Sequence, residues 1–292
     1  MSVAYPVLRL LVPPDELELA AADLWNLDTV GVEEVPTARA AAEGWLLAGE
    51  LRLPLQAGFA SVALAHRAEA LVAKRWSPHA FVVDDDGWLD TWREHFEPFR
   101  VGRLVVLPAW KPYTPLPVGP DDLEIHLDPG RSFGTGAHPS TRLVLELLQS
   151  RSLQGASVLD VGCGSGILSV AAAHLGARTV TAVDVEEAAI PTTLANAARN
   201  SVYVEASATA VSDVPGHFDV VLANILAPVL VELSEFLVAR LTPTGIIVLS
   251  GLISDQRDRV LAAYPALVVI DERIDPPWLA VALTPRHSAP SI

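Results

Sequence analysis

Val158-Leu159-Asp160-Val161-Gly162-Cys163-Gly164-Ser165-Gly166 decides the fold. A short apolar run, 157–161, meets three glycines at alternate positions, and an apolar helical stretch, 167–175, follows at once. Strand, glycine turn and helix in that order are the context a nucleotide-binding loop requires. Glycines let the backbone approach a ligand closely, and the first turn of the helix offers unpaired N–H groups. A dinucleotide-binding fingerprint needs G-x-G-x-x-G or a terminal Ala. Counted from Gly162 the final position is Ile167, and from Gly164 it is Ser169, so this loop is of another kind.

Downstream, strand and helix patterns alternate. Strands are expected at 179–185, 217–225 and 245–252, and helices at 186–200, 228–241 and 254–264. Such alternation demands a parallel sheet covered on both faces. The last two apolar runs, 267–274 and 278–284, are separated only by Asp275-Pro276-Pro277. No helix fits between them, so they should form an antiparallel hairpin. Asp184 ends the strand after the glycine loop, 22 residues beyond Gly162, near the spacing of a ribose-binding acid. Its competing role is to cap the helix from Glu186 onward. Asn224 ends the next buried strand, in Phe218-Asp219-Val220-Val221-Leu222-Ala223-Asn224-Ile225-Leu226-Ala227. An amide there stands at the carboxyl edge of the sheet, where open α/β folds bind ligands. With neighbouring carbonyls it can accept hydrogens from an amine and aim the nitrogen lone pair. Its competing role is a cap for the helix at Pro228.

Upstream, a helix face at Leu143, Val144, Leu147 and Leu148 precedes the glycine loop. The first 65 residues read as small α+β: a strand at 4–12, a helix from Asp15, strands at 29–35 and 44–51, and a helix at 58–74. This βαββα order suggests a ferredoxin-like unit. Asp84-Asp85-Asp86-Gly87 punctuates the chain, and 87–100 reads as an aromatic-rich helix joining two domains. A strand at 101–108 and an extended, proline-rich stretch, 110–120, follow. Trp88, Trp92 and Trp110 read as packing residues. The expected division is 1–83, a linker helix at 84–100, and 101–292.

Composition narrows the function. Of 292 residues 51% are hydrophobic and 19% charged, which excludes wholesale disorder. Cys163, the one cysteine, has no partner for a disulfide, and a reduced compartment fits. Thirty-five acidic against 20 basic residues give a net charge of −15, which disfavours phosphate backbones and favours a basic partner. No run of 18 apolar residues occurs; 220–231 is too short and contains Asn224 and Pro228. The first residues lack a basic start before their apolar part and do not read as a signal peptide. No membrane association and a cytoplasmic location are expected.

The sheet pattern ending in a reversed strand resembles class I methyltransferases, and D-x-G-x-G-x-G resembles motif I of S-adenosylmethionine-dependent enzymes. Asn-Ile-Leu-Ala stands where amino methyltransferases carry Asn-Pro-Pro-aromatic. Three longer runs, LDPGRSFGTGAHPSTR from Leu127, VLDVGCGSGILSVAAAHLGA from Val158 and VVLANILA from Val220, resemble the PrmA family, methyltransferases of large-subunit ribosomal protein eleven. WLDTWREHFEPFRVGRLVVLPAW, from Trp88, is similar to that family's linker. The resemblance covers about 88–283; the N-terminal part matches only in its α/β order and position.

The resemblance implies a Rossmann-like, seven-stranded class I catalytic domain, a linker helix and a ferredoxin-like substrate-recognition domain at 1–83. It implies S-adenosylmethionine as cofactor, with Thr141, Gly162, Gly164, Gly166, Asp184, Asn224, Thr135 and Gly136 in contact. Phe133, Gly134, Thr135 and Gly136 would line the methyl-transfer pocket, with Asn224 orienting the amine. The implied reaction is N-methylation of lysine ε-amines and the N-terminal α-amine of a ribosomal protein, by a monomer that binds no nucleic acid directly. The alternatives are methylation of another protein lysine or a small amine, or a scaffold that binds cofactor without turnover. Ser140 replaces the family's usual Thr. The stretch after Asn200 has no clear acid for the adenine amino group, and Ser207 and Thr209 are possible substitutes. Asp160 reads as a loop brace, a methionine-end contact or a turn residue, Cys163 as a small packed residue, and His138 as a candidate base or a loop hydrogen-bonding group. No metal site is expected.

Overall fold

A computed structural model describes residues 5–25, 27, 29–35, 37–42, 44–45, 51–59, 62–83, 96–111, 116–129 and 136–286. The chain divides into two compact units, 1–95 and 96–292.

In the first unit, alternating apolar residues of β1 (Tyr5–Val12) put Leu8, Leu10 and Val12 on one face. A 3-10 turn leads to α1 (Leu17–Trp25), then β2 (Thr29–Glu34), α2 (Thr37–Ala42), β3 (Leu53–Phe59), α3 (Val62–Val72) and β4 (His79–Val83). The sheet is antiparallel in the order β2-β3-β1-β4, the ferredoxin-like arrangement. Leu8, Leu10 and Val12 pack with Leu55, Ala57 and Phe59 of β3 and with Ala20, Leu24, Ala65 and Ala68 of the helices.

Of the strand expected at 44–51, residues 46–50 lie outside the described residues. Gly44, with φ +78°, donates its N–H to Ala41 O and forms a turn after α2. A strand that the sequence reading did not expect runs through Leu53–Phe59 and includes Pro54 and Gly58. The helix expected at 58–74 accordingly starts only at Val62.

The second unit opens with a three-stranded sheet. β5 (Phe99–Val101) and β6 (Leu104–Pro108) are antiparallel around Gly102, and β7 (Leu123–Leu127) is parallel to β6. The strand expected at 101–108 is thus broken at Gly102, which has φ +53°. Most of the helix expected at 87–100 lies outside the described residues, but its last two positions, Phe99 and Arg100, belong to β5.

The main sheet follows: α4 (Pro139–Gln149), β8 (Ser157–Val161), α5 (Ile167–His174), β9 (Thr179–Val183), α6 (Ala189–Arg199), β10 (Glu205–Ser207), β11 (Phe218–Asn224), α7 (Ala227–Glu232), α8 (Ser234–Ala239), β12 (Leu241–Ile253), α9 (Arg257–Ala262), β13 (Leu267–Asp275) and β14 (Trp278–Pro285). Its seven strands run β10-β9-β8-β11-β12-β14-β13. The first five are mutually parallel, and β14 lies antiparallel between β12 and β13. This is the class I methyltransferase order with its reversed strand. The helix expected at 228–241 is two short helices meeting at Leu233, and Leu241 begins β12. β8 is buried on both faces, as a central parallel strand must be. From β8 the chain winds to β9 and β10, then returns to β11 on the other side of β8. The order therefore reverses between β8 and β11, where such sheets open a ligand crevice at the strands' carboxyl ends. No helix among the described residues is long and apolar enough to cross a membrane.

Candidate active site

Three left-handed glycines shape the loop after β8: Gly162, Gly164 and Gly166 have φ +77°, +52° and +79°. Side chains rarely adopt this conformation. Crowding excludes them further, since a Cβ on Gly162 would lie 2.3 Å from Ile225 Cγ2, and one on Gly166 would lie 2.8 Å from Thr193 Cγ2. Backbone bonds hold the turn: the N–H groups of Gly162 and Cys163 both donate to Val183 O, at 2.8 and 3.2 Å. Two α6 side chains fasten it from outside. Thr193 Oγ1 donates to Gly164 O at 3.0 Å, and Asn196 Nδ2 donates to Ser165 O at 2.8 Å and to Asp128 O at 2.9 Å. Asn196 Oδ1 accepts from Asp128 N. Both residues are fully buried. Sequence reasoning missed them; their only local signal is two polar residues three apart on one face of α6.

Asp184 follows the end of β9 beside this loop. Its Oδ2 accepts from Gly164 N at 2.8 Å and its Oδ1 from Glu186 N at 3.0 Å. It does not cap α6, which begins at Ala189 with Ala188 as its cap residue. An ionised carboxylate offers about four acceptor positions, so these bonds leave capacity for a vicinal diol. The Glu186 carboxyl is raised above its ordinary range by burial and by Asp184.

Asp160 lies beneath. It is 1% exposed, and its Oδ2 accepts from Ser169 Oγ at 2.6 Å. Its Oδ1 has no hydrogen-bond partner among the described residues. Burial pushes this carboxyl up to about 6, with Asp184 adding and Ser169 opposing. Its visible role is to brace the start of α5 against β8. The Cys163 thiol is pushed up to about 12 by burial, then by Asp160, and accepts a contact from Thr193 Oγ1. It is a packed thiol rather than a nucleophile.

Across the crevice, Asn224 closes β11. Its Nδ2 donates to Thr141 Oγ1 at 3.1 Å, with Oδ1 the remaining acceptor of the amide. The capping alternative fails, because the cap residue of α7 is Leu226, with no side-chain hydrogen bond. Ile225 is wedged between two glycines: a Cβ on Gly251 would lie 2.4 Å from Ile225 O, opposite the close approach of Gly162 to the Ile225 side chain. Gly251 was not legible from sequence.

His138 is the cap of α4. Its Nδ1 accepts from Ser140 N at 3.3 Å and lies 2.8 Å from Ser140 Oγ, while its ring meets Trp278 edge-on at 4.5 Å. Burial lowers the imidazole to about 4, so it is neutral at pH 7. This is the loop hydrogen-bonding role. Gly136, with φ +78°, is pressed against Ile167, the first residue of α5, and against Phe99. Phe133, Gly134 and Thr135 lie outside the described residues. No group of three metal-binding side chains occurs among the described residues.

The glycine loop, Asp184, Thr141 and Asn224 thus gather on the carboxyl edge of β8, β9 and β11. They come from four elements up to 83 residues apart in sequence.

Residues 57–284 match the family described as "Ribosomal protein L11 methyltransferase (PrmA)". A ribosomal protein L11 methyltransferase of Geobacter metallireducens is 44% identical over 188 residues, spanning 64% of this chain and 62% of that one. Its namesake from Geotalea uraniireducens is 40% identical over 218 residues, spanning 69% and 68%. The match to the Geobacter relative therefore covers less than two thirds of that protein's length. Among solved structures, the ribosomal protein L11 methylase of Lactobacillus delbrueckii subsp. bulgaricus superposes with a TM-score of 0.62 at 31% identity, covering 66% of this chain and all of that one.

Proposed function

The chain belongs to the PrmA family of ribosomal protein L11 methyltransferases, and from that premise we propose that it methylates amino groups of L11 with S-adenosylmethionine. We take the acceptors to be lysine ε-amines and the N-terminal α-amine. The observation that supports this reading is the Thr141–Asn224 hydrogen bond, which joins the end of β11 to the start of α4 beside the strand ends that carry the glycine loop and Asp184.

The cofactor fits the residues present. Asp184 retains acceptor capacity for a ribose diol, and the left-handed turns at Gly162 and Gly164 bring bare backbone to the crevice. Bound there, S-adenosylmethionine supplies a methyl group already activated on sulfonium, so the protein's task is mostly positioning for in-line displacement. We assign Asn224 Oδ1 to accept an N–H of the incoming amine and turn its lone pair toward the methyl carbon. Phe133, Gly134, Thr135 and Gly136 are proposed as the pocket around that carbon. A lysine amine ordinarily titrates near 10.4 and must arrive neutral. His138 is not cast as the base, because its Nδ1 is engaged at the head of α4. We assign proton loss to water at the crevice mouth, helped by desolvation of the amine.

The first unit is proposed to select the substrate, since every residue assigned above lies in the second. The net charge of −15 suits a basic ribosomal protein and repels RNA phosphates. One chain supplies every assigned residue, so we take a monomer to suffice and place the reaction in the cytoplasm, with ribosomal protein synthesis. The test is transfer of radiolabelled methyl to ribosomal proteins from a strain lacking this gene. Label on L11 is expected. Label only on another protein or on a small amine would overturn the substrate assignment, and no transfer to anything would overturn the enzyme assignment.

A further inference from the structure

We propose that Asn196 is a positioning residue for methyl transfer. It locks the glycine loop to the end of β7, so that the two sides of the reaction site keep one separation. This rests on the cofactor reading above, and Asn196 acts through Ser165 and Asp128 rather than on a ligand.

β7 is the edge of its three-stranded sheet. Leu127 turns toward β6, its carbonyl accepting from Ala109 N at 2.9 Å. His126 and Asp128, on either side of it, turn their N–H and C=O groups the other way. In place of another strand they meet two side-chain amides. Asn200, the residue that caps the end of α6, accepts from His126 N through Oδ1 at 2.7 Å and donates to His126 O through Nδ2 at 2.8 Å. Asn196 does the same for Asp128, at 2.9 Å in both directions. Side chains four apart share one helix face, so the pair stands in for a strand edge.

Only Asn196 goes further. Asn200 gives its second hydrogen to Asn196 O, within α6. Asn196 gives its second hydrogen to Ser165 O at 2.8 Å, and its Oδ1 also accepts from Arg199 Nη1. Two donors and two acceptors are then all engaged, and a flipped amide would oppose every partner. Ser165 and Ile167 flank Gly166 at the start of α5. Asp128 is tied to the first through Asn196, and Gly136 is pressed against the second. Both ends of the stretch 128–136 are thus seated on the loop assigned to the cofactor, and Gly136 is assigned to the pocket around the methyl carbon. In-line displacement tolerates little error in that seating, since an ångström of misplacement can cost about 100-fold in rate.

Asn196→Ala and Asn200→Ala in the full chain test this, because each removes two bonds to β7 and only the first frees the glycine loop. The acceptor is L11 from a strain lacking this gene. Asn196→Ala should lower kcat by about 30-fold or more and leave KM and S-adenosylhomocysteine affinity within about fivefold, whereas Asn200→Ala should keep kcat within about threefold. Urea unfolding should show comparable stability losses in the two. Hydrogen exchange decides even if Asn196→Ala does not fold, because the Asp128 N–H donates to Asn196 and reports the tie. S-adenosylhomocysteine should slow that exchange by about tenfold in wild type and in Asn200→Ala, and not in Asn196→Ala. Equal losses of kcat in the two folded variants overturn the proposal, since docking of α6 on β7 would then explain both. So does wild-type exchange at Asp128 that ignores S-adenosylhomocysteine while the glycine-loop amides slow. Failure of wild type to bind S-adenosylhomocysteine at all removes the cofactor reading itself, and this inference with it.

Discussion

Asn224 Nδ2 donates to Thr141 Oγ1 at 3.1 Å, joining the end of β11 to the first turn of α4 across 83 residues of chain. In this arrangement the hydroxyl oxygen accepts from Nδ2, and Oδ1 is the acceptor left on the amide. An acceptor held in place before substrate arrives contributes most where the amine meets the methyl carbon, so its loss should appear in kcat more than in KM. Asn224→Ala should lower kcat by about 100-fold, a range typical of removing one preorganised contact. Thr141→Val should lower it by about tenfold and Thr141→Ser should restore it. If Thr141 acts through Asn224, the double variant should be no slower than Asn224→Ala alone. Multiplying losses in steady-state kinetics would show two independent roles.

Asp184 carries a second prediction. Its carboxylate already receives the Gly164 and Glu186 N–H groups and so shapes the loop, and we propose that its remaining acceptor capacity takes the cofactor's ribose. Charge-assisted hydrogen bonds are worth about 1.5–3 kcal/mol each. Asp184→Ala should therefore weaken S-adenosylhomocysteine binding by about 10- to 100-fold or more, read by calorimetry. Unchanged affinity in a folded variant would leave Asp184 only its loop-shaping bonds.

These residues show what a single sequence discloses. Gly162, Gly164, Gly166, Asp184 and Asn224 were legible because each sits at a strand end, where the local pattern states both the strand and its edge. Thr193 and Asn196 were not, because their partners, Gly164 O, Ser165 O and Asp128 O, lie about 30 to 68 residues away and exist only once α6 has docked. The short strands β7 and β10 went unseen, since three to five residues give little periodicity to detect. The helix expected from residue 58 begins later, at Val62, because Leu55, Ala57 and Phe59 pack in the core from β3, a strand whose Pro54 and Gly58 read locally as breakers.

The buried pair of titrating groups gives a pH prediction. Asp160 is raised to about 6, above about 4 for an unfolded carboxyl. Between those values the folded state holds a proton that the unfolded state has lost, so this group makes stability fall as pH rises from 4 to 6. His138 is lowered to about 4, below about 6.5 when unfolded. There the unfolded state holds the extra proton, so stability rises with pH across 4 to 6.5. The two slopes oppose one another. Asp160→Asn should unmask the histidine, so that the gain in Tm from pH 4 to 6.5 exceeds that of wild type. His138→Asn, which keeps a capping side chain, should reduce that gain or reverse it. Parallel Tm profiles for all three proteins would show that neither group titrates with a shifted value.

The last prediction concerns Gly251, which lies on β12 and outside every glycine motif. Its φ is +80°, and a Cβ there would meet Ile225 O at 2.4 Å and Ile225 N at 3.0 Å, both backbone atoms that cannot rotate away. Ile225 is already confined on its other side by Gly162. Gly251→Ala must therefore displace the Asn224–Ile225 turn or strain it. Gly216 is the control: its φ is +85°, but nothing lies within 4 Å of a Cβ placed there. Gly216→Ala should cost only left-handed strain, about 1–2 kcal/mol in urea unfolding, with kcat unchanged. Gly251→Ala should cost more stability and also lower kcat by about tenfold or more, because misplacement of a positioning group by an ångström is expensive in rate. Equal stability losses in the two variants, with kcat intact in both, would show that the turn bearing Asn224 tolerates the displacement and that Gly251 is retained for its backbone conformation alone.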